Sequence, residues 1–286
     1  MDGLVIINGF LTGHKFSEPA EMLTEAADGR GVALRTLSNT DIVSFIGDRD
    51  SMTKVIGEPD FIIFWDKDVR LAYDLEICGY NVMNPSECIR ICDDKALTHE
   101  KLAESGIQSI KTISSPMSFG QPYGDWVMKV KDIIGYPMVV KDCFGSFGEQ
   151  VRLVRNDDEL SAEGRSSVPK IFQEYIECGS QDLRLQVVDE EVVAAVRRKA
   201  VDGDFRANAS HGGTMFPYSP TEEEIDIALD SAQALKADFL GVDILQTDNG
   251  PIICELNSNA HIRNITNATG IDVAGKIIDH ALRMTR

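Results

Sequence analysis

The 286-residue chain is 43% hydrophobic and 26% charged, a globular mix long enough for one large domain or two to three small ones. Its net charge of −18 argues against non-specific nucleic-acid binding and against an anionic membrane surface, since both need clustered Lys and Arg. No apolar run approaches the ~18 residues of a membrane span, and the six cysteines show neither Cys-x-x-Cys nor zinc spacing, so free thiols in a reducing cytoplasm are expected.

The first ~90 residues alternate strand and helix signals. Leu4 to Ile7 reads as a first buried strand rather than a signal peptide. Glu18 to Gly29 carries Met22, Leu23, Ala26 and Ala27 at helical spacing, and Val32 to Leu37 alternates like a strand. Phe61 to Trp65 is a third strand, Val69 to Cys78 a helix, and Tyr80 to Met83 one more short strand. This predicts an open parallel α/β sheet. A dinucleotide site would need Gly-x-Gly-x-x-Gly after the first strand, where the chain reads Asn8-Gly9-Phe10-Leu11-Thr12-Gly13. The region is expected to be a Rossmann-like scaffold without NAD.

From about residue 95 the pattern changes. Asp94 to Gly106 reads as a helix, residues 114 to 124 as a Ser/Pro/Gly loop, and residues 125 to 134 as a second helix. Strands are expected at Met138 to Lys141, Val151 to Val154, Lys170 to Ile176, Leu183 to Val188 and Val192 to Lys199. Thr221-Glu222-Glu223-Glu224 has the capping-box pattern, followed by an apolar stripe of Ile225, Ala228, Leu229, Ala232 and Leu235. A hairpin and a helix from Asp272 to Arg286 end the chain.

Two acids interrupt Val/Ile-rich runs where acids are costly: Asp243 in Gly241 to Leu245, and Glu255 in Pro251 to Asn257. Glu255 and Asn257 share a face by the two-residue period. A three-residue Asp248-Asn249-Gly250 loop with Gly250 left-handed would pair Asp243 with Glu255, whereas a two-residue Asn-Gly turn would put them on opposite faces. In the first case two carboxylates and an amide oxygen converge, a donor set suited to Mg²⁺ on nucleotide phosphates. In the second the hairpin is an ordinary solvated one.

Lys141 ends an apolar strand and precedes Phe144-Gly145-Ser146-Phe147-Gly148, a loop whose N–H groups can approach phosphate, although it is not a Walker A loop. A β-turn beside a surface lysine is the plain alternative, and Cys143 beside it reads as a small buried filler. Gln173-Glu174-Tyr175-Ile176 followed by Asp182-Leu183-Arg184 could offer backbone to adenine and a carboxylate to ribose, or be an edge strand. Arg184, Arg197, Arg198, Lys199 and Arg206, with Asn208, form a basic set in an acidic chain. Alternation puts Arg198 on the face opposite Arg197 and Lys199. Of the five histidines only His261 lies close to the carboxylate hairpin.

These segments, in this order, resemble the ATP-grasp superfamily and within it the RimK-type amino-acid ligases, related to the LysX-type ligases. The matching stretches include Cys92-Asp93-Asp94-Lys95, Pro137 to Lys141, Phe172 to Ile176, Asp182 to Val188, Glu190 to Ala195, Gly203 to Asn208, Gly212-Gly213, Gly241 to Leu245, Glu255-Leu256-Asn257 and Thr269 to Asp272. The resemblance runs from about residue 92 to the end. The first 90 residues fit the family's N-terminal domain in architecture alone.

What the resemblance implies is an α/β fold, α+β in its C-terminal part: a Rossmann-like N-terminal domain (1–92), a central ATP-grasp lobe (93–172) and a C-terminal lobe with the metal site (173–286). Lys95, Lys141 and Ser146 would hold ATP phosphates, Glu174 and Tyr175 would meet adenine through their backbone, and Asp182 would meet the ribose. Asp243, Glu255 and Asn257 would bind Mg²⁺, with Mn²⁺ as the alternative ion. Arg184, Arg198, Arg206 and Asn208 are the candidate catalytic donors.

Glutamate-adding members follow the metal-binding Asn with a small residue and Pro-Gly. Here the chain continues Ser258-Asn259-Ala260-His261-Ile262-Arg263, a departure that implies an acceptor of a different kind from theirs. The implied reaction joins a small-molecule or peptide carboxylate to an amine through an acyl phosphate, in a protein that touches neither nucleic acid nor membrane. A homodimer or homotetramer is the candidate assembly. Two rival readings are a non-catalytic ATP-binding sensor, which would not need all three metal ligands, and a dehydrogenase, which lacks its glycine fingerprint.

Overall fold

The computed structural model describes residues 1–145, 148–201, 206 and 213–285. The first sheet contains β1 (Asp2–Ile7), β2 (Ala33–Ser38), β3 (Phe61–Phe64) and β4 (Val82–Met83), all parallel, in the order β2-β1-β3-β4. Helices α1 (His14–Asp28), α2 (Arg49–Ile56) and α3 (Val69–Ile77) alternate with the strands. Parallel strands buried on both faces need near-continuous apolar runs, and all of β3 is buried. Leu4, Ile6, Ile62 and Phe64 pack with Met52, Ile56 and Leu75 on one face. Val5, Phe61 and Ile63 pack with Leu23 and Ala27 of α1 on the other.

Two short helices, α4 (Ser86–Asp93) and α5 (Lys95–Glu104), lead into a second sheet. It contains β5 (Thr112–Ser114), β6 (Met138–Asp142), β7 (Val151–Val154) and β8 (Lys170–Glu174) in the antiparallel order β5-β8-β6-β7. Helices α6 (Trp126–Ile134) and α7 (Asp157–Gly164) pack Val127, Val130 and Leu160 against Met138, Val140 and Phe172. The lobe boundary expected after residue 172 falls inside β8, so the central sheet runs to Glu174.

The third sheet contains β9 (Gln181–Val188), β10 (Glu191–Lys199), β11 (Thr214–Pro217), β12 (Phe239–Thr247) and β13 (Gly250–Asn257), antiparallel in the order β11-β10-β9-β12-β13. Leu183, Leu185, Val187, Val242 and Ile244 point to α8 (Glu222–Leu235), whose N-terminus carries the expected Thr221–Glu224 capping box.

The opposite face divides in two. At one end Val188, Val196 and Phe239 join Val5, Phe61 and Trp65 of the first sheet. Ile265 of α9 (Ile262–Thr269) and Ile277 of α10 (Val273–Met284) complete this shared core. Trp65 stacks on Phe239 at 5.1 Å, worth about 1 kcal/mol beyond the area it buries. At the other end the same face is polar. Among the described residues no helix is long and apolar enough to cross a membrane.

Candidate active site

The polar half of the third sheet is organised by the β12–β13 hairpin. Thr247 pairs with Gly250, so the turn has two residues, Asp248 and Asn249, and Gly250 follows it at φ 103°. The register then shifts: Ile244 pairs with Ile253, yet Asp243 pairs with Glu255. Cys254 is therefore the extra residue of a β-bulge. The turn is thus the two-residue alternative, for which the two carboxylates were expected on opposite faces. Asp243 does face Glu255, but the residue that brings this about lies in the strand and not in the turn.

The bulge puts Cys254 and Glu255 side by side on the cleft, while Ile253 and Leu256 go to the core under α8. Asn257 comes next on the cleft side, opposite Gly241. A Cβ at Gly241 would collide with Ala260 Cβ, so this glycine lets the chain after β13 fold back over the sheet.

Cross-strand pairing places Asp182 opposite Arg198 and Arg184 opposite Asp243. Arg184 grips Asp243 through Nε and, at 2.7 Å, through Nη2. Arg198 donates from Nε and Nη2 to the two Asp182 oxygens, both at 2.6 Å, and its Nη2 also lies 3.0 Å from Asp243 Oδ2. Asp243 is 2% exposed and Arg198 4%. Buried charges survive only when paired and hydrogen-bonded, which this ladder achieves. Burial pushes the Asp243 carboxyl up, but the Arg184 and Arg198 guanidiniums more than reverse it and hold it below the usual range. Arg198 is held above its ordinary value, because Asp182 and Asp243 outweigh its burial.

The central lobe contributes cations. Lys95, at the start of α5, donates from Nζ to Gly145 O at 3.1 Å and lies 3.8 Å from Glu255 Oε1. Burial lowers its pKa, with Lys67 and Lys141 adding to the effect and Glu255 opposing it. Lys141 of β6 reaches Cys254 Sγ at 3.8 Å, and burial pushes that thiol up to about 11. Arg206 donates from Nη1 to Gly148 O at 2.9 Å. Ser146 and Asn208 lie outside the described residues.

Two clefts result. One, of about 910 Å³ of empty space, lies between the second and third sheets and is lined by Lys95, Lys141, Glu174, Tyr175, Asp182 and Arg206. The other, of about 1900 Å³, lies between the first and third sheets and is lined by Lys15, Lys67, Arg184, Arg198, Asn257 and His261. Asp243 and Glu255 line both. Asn8, Lys15, Asp66 and Lys67 had not been singled out from the sequence. Asn8, Asp66 and Lys67 follow the carboxyl ends of β1 and β3, where open parallel sheets bind ligands, and that rule could have found them.

Asp243, Glu255 and Asn257 offer two carboxylates and an amide, the hard oxygen set that Mg²⁺ accepts while keeping some of its water. The Asn257 Nδ2 is buried and has no partner among the described residues, so this N–H is open to a hydrogen-bond acceptor, while the Oδ1 is the atom a cation would use. Among the described residues no three His, Cys, Asp or Glu side chains gather as a metal cluster, which leaves this mixed set as the candidate.

Residues 92–281 match the RimK-like ATP-grasp domain. The chain is 32% identical over 251 residues to an uncharacterised protein of Mycoplasma pneumoniae, the MG012 homolog, covering 85% of each. It is 35% identical over 209 residues to a probable alpha-L-glutamate ligase of Trichodesmium erythraeum, covering 71% of this chain and 68% of that protein. Among solved structures, the ATP-grasp ligase PsnB complexed with a phosphomimetic variant of its minimal precursor, Mg and ADP superposes with a TM-score of 0.74 at 16% identity, covering 99% of this chain and 98% of that one. The fold is thus that of the ATP-grasp ligases, enzymes that use ATP to form amide bonds. The chain belongs to the RimK-like ATP-grasp family.

Proposed function

We propose that the cleft between the second and third sheets takes ATP, that the cleft between the first and third sheets takes the carboxylate substrate, and that the reaction runs where they meet. The observation that carries this reading is the sharing of Asp243 and Glu255 by both clefts. Phosphoryl transfer to a carboxylate needs the γ-phosphate and the acid in contact, and a junction lined by two carboxylates and flanked by cations suits it.

Lys95 and Lys141 would hold the phosphates, with Arg206, Ser146 and Asn208 at the triphosphate. The backbone of Glu174 and Tyr175 would meet adenine. Asp182 would meet the ribose with a carboxylate that Arg198 already fixes. Asp243, Glu255 and Asn257 would hold Mg²⁺ or Mn²⁺, which supplies charge neutralisation at the γ-phosphate.

A substrate carboxylate oxygen then attacks the γ-phosphorus and the bond to ADP breaks. The amine nitrogen attacks the acyl carbon of the resulting acyl phosphate, phosphate leaves, and an amide remains. Arg184 and Arg198 stand at the junction as donors to the oxyanion of the second step. The substrate class is glutamate or another amino acid joined to a small-molecule or peptide partner. Lys15, Lys67 and Arg184 make the second cleft fit for a carboxylate.

The test is ADP release with Mg²⁺ over a panel of amino acids and peptides. ADP is expected only when a free carboxylate and a free amine are supplied together. Release that is indifferent to either partner would overturn the assignment of the second cleft.

A further inference from the structure

An amine that attacks an acyl phosphate must give up a proton as its nitrogen bonds to the acyl carbon. The charged Arg and Lys side chains at the junction only donate, so they cannot take that proton. The second cleft has few groups that can. Asp243 is locked between Arg184 and Arg198, and Glu255 is assigned to the cation. Asp66 has each carboxylate oxygen occupied twice. Its Oδ1 accepts from Asn8 Nδ2 at 3.0 Å and Lys67 N at 2.7 Å, and its Oδ2 from Asn8 Nδ2 at 3.2 Å and Asn39 Nδ2 at 3.1 Å. Glu18 is tied to Arg263 at 2.9 Å. That leaves His261.

His261 is half-buried on the wall of this cleft. It is the residue before α9, and its side chain makes no hydrogen bond to cap that helix. Two contacts fix its place. Ala260 packs on Gly241, and a Cβ on that glycine would also come within 3.5 Å of Arg184 Cδ and Nη1, so the chain entering His261 and the Arg184 side chain meet there. Two residues further on, Arg263 pairs with Glu18 of α1. The ring thus lies where β9, α1 and α9 come together, with Glu18, Lys15 and Arg184 as its charged neighbours. Burial lowers its pKa; Glu18 opposes this, while Lys15 and Arg184 add to it. The balance favours the neutral imidazole, which has a lone pair to offer.

We infer that His261 is the base of the second step: its unprotonated ring nitrogen takes the proton of the attacking amine while the amine lone pair bonds to the acyl carbon. The electrons of the breaking C–O bond leave with phosphate. Amine and acyl phosphate become amide and phosphate, and the imidazolium returns its proton to water. Arg184, beside the ring, holds the oxyanion as the bond forms. The stretch that departs from the glutamate-adding pattern, Ser258 to Arg263, is the one that supplies this histidine. The role rests on the ligase reading above.

The experiment compares two nucleophiles on the full chain, with ATP, Mg²⁺ and each of the common amino acids as acid. Hydroxylamine is uncharged at neutral pH and attacks an acyl phosphate unaided, giving a hydroxamate. The amine of a second amino acid arrives as an ammonium and gives an amide. His261→Gln is expected to slow amide formation at neutral pH by about 100-fold, the lower end of what a positioned base contributes, and hydroxamate formation far less. Amide formation by the variant should recover as the pH rises toward the pKa of the amine itself. His261→Ala should regain part of its amide rate with added imidazole, and it decides if His261→Gln does not fold. A role in holding the acid or in supporting the fold would lower both products together. That result, or an amide rate untouched by either substitution, overturns the assignment. Failure of the ligase reading would look different: wild type would form neither product with any acid.

Discussion

Asp243 sits directly opposite Glu255, yet the two carboxylates are held in contrasting ways. Asp243 is locked between Arg184 and Arg198, whereas Glu255 is partly exposed and its ion pair with Lys95 is long, at 3.8 Å. Substituting each should separate stability from catalysis. Glu255→Gln is expected to cut kcat by about 100-fold or more through weaker metal binding, with partial recovery at high Mg²⁺ and a change in folding stability within ~1 kcal/mol. Asp243→Asn leaves the buried Arg198 and the half-buried Arg184 short of a partner and should cost about 3–5 kcal/mol in urea unfolding as well as activity. Equal stability losses in the two variants would contradict this division.

A second expectation concerns Lys95. Its pKa is lowered by burial and by Lys67 and Lys141, so it loses its charge at a lower pH than an ordinary lysine. If its ammonium helps hold the triphosphate, kcat/KM for ATP should fall on the alkaline side earlier than a normal lysine would allow. Lys95→Arg, which stays charged, should push that limb to higher pH. A pH profile for ATP at saturating acid and amine checks this. An alkaline limb that does not move in the variant would remove Lys95 from the nucleotide site.

His99 makes a prediction about acid stability. Its folded pKa is about 3 against an ordinary 6.5, lowered first by burial and then by Lys141. Below pH 6.5 the unfolded chain takes up a proton that the folded one refuses. Its contribution is therefore fully present above pH 6.5 and is lost as pH falls from 6.5 toward 3, with a ceiling of roughly 4–5 kcal/mol over that window. Urea unfolding of wild type between pH 7 and 4 should show the loss. His99→Asn should be less stable at pH 7 and flatter across the window. A variant as steep as wild type would assign the acid loss to other groups.

The sequence carried the fold wherever apolar period and chain chemistry agreed. The all-apolar run at Phe61 to Phe64, the Thr221–Glu224 cap and the polar residues at 182, 184, 198, 243 and 255 each had a local cause, and the register of β9, β10 and β12 then aligns the first four of those charges on one face. Helices α2, α4, α7 and α9 were not foreseen. Each is eight residues long, barely two turns of period, and in α2 and α7 the caps are the clearer sign, Asp48 accepting from Ser51 N and Asn156 from Glu159 N. The bulge at Cys254 was equally out of reach. It moves one residue between turn and strand without altering composition, and the core under α8, which takes Ile253 and leaves Cys254 in the cleft, decides between the two. The first-sheet side of the second cleft depends on residues far apart in sequence, as where Trp65 and His261 line one cavity, and no local pattern encodes those.

The last expectation follows from Asn84, a residue that touches neither cleft. It is fully buried just beyond β4, at the end of the first sheet. Its Nδ2 donates to Phe239 O at 2.8 Å and to Ser258 O at 2.9 Å, while its Oδ1 accepts from Asp238 N at 2.7 Å and Phe239 N at 3.1 Å. One amide thus ties the start of β12 to the chain just after Asn257, with every hydrogen-bonding position used. Asn84→Ala would strand four buried backbone groups, and about 3 kcal/mol of stability should be lost. Asn84→Asp keeps the shape but replaces two donors with acceptors facing two carbonyls, so it should be no better. Because Ser258 adjoins the proposed metal ligand and leads into Asn259 and His261 of the second cleft, KM for the acid substrate should rise more than KM for ATP in either variant. Urea unfolding and paired KM measurements test both parts. Equal rises in the two KM values would mean that Asn84 supports the fold without shaping the second cleft.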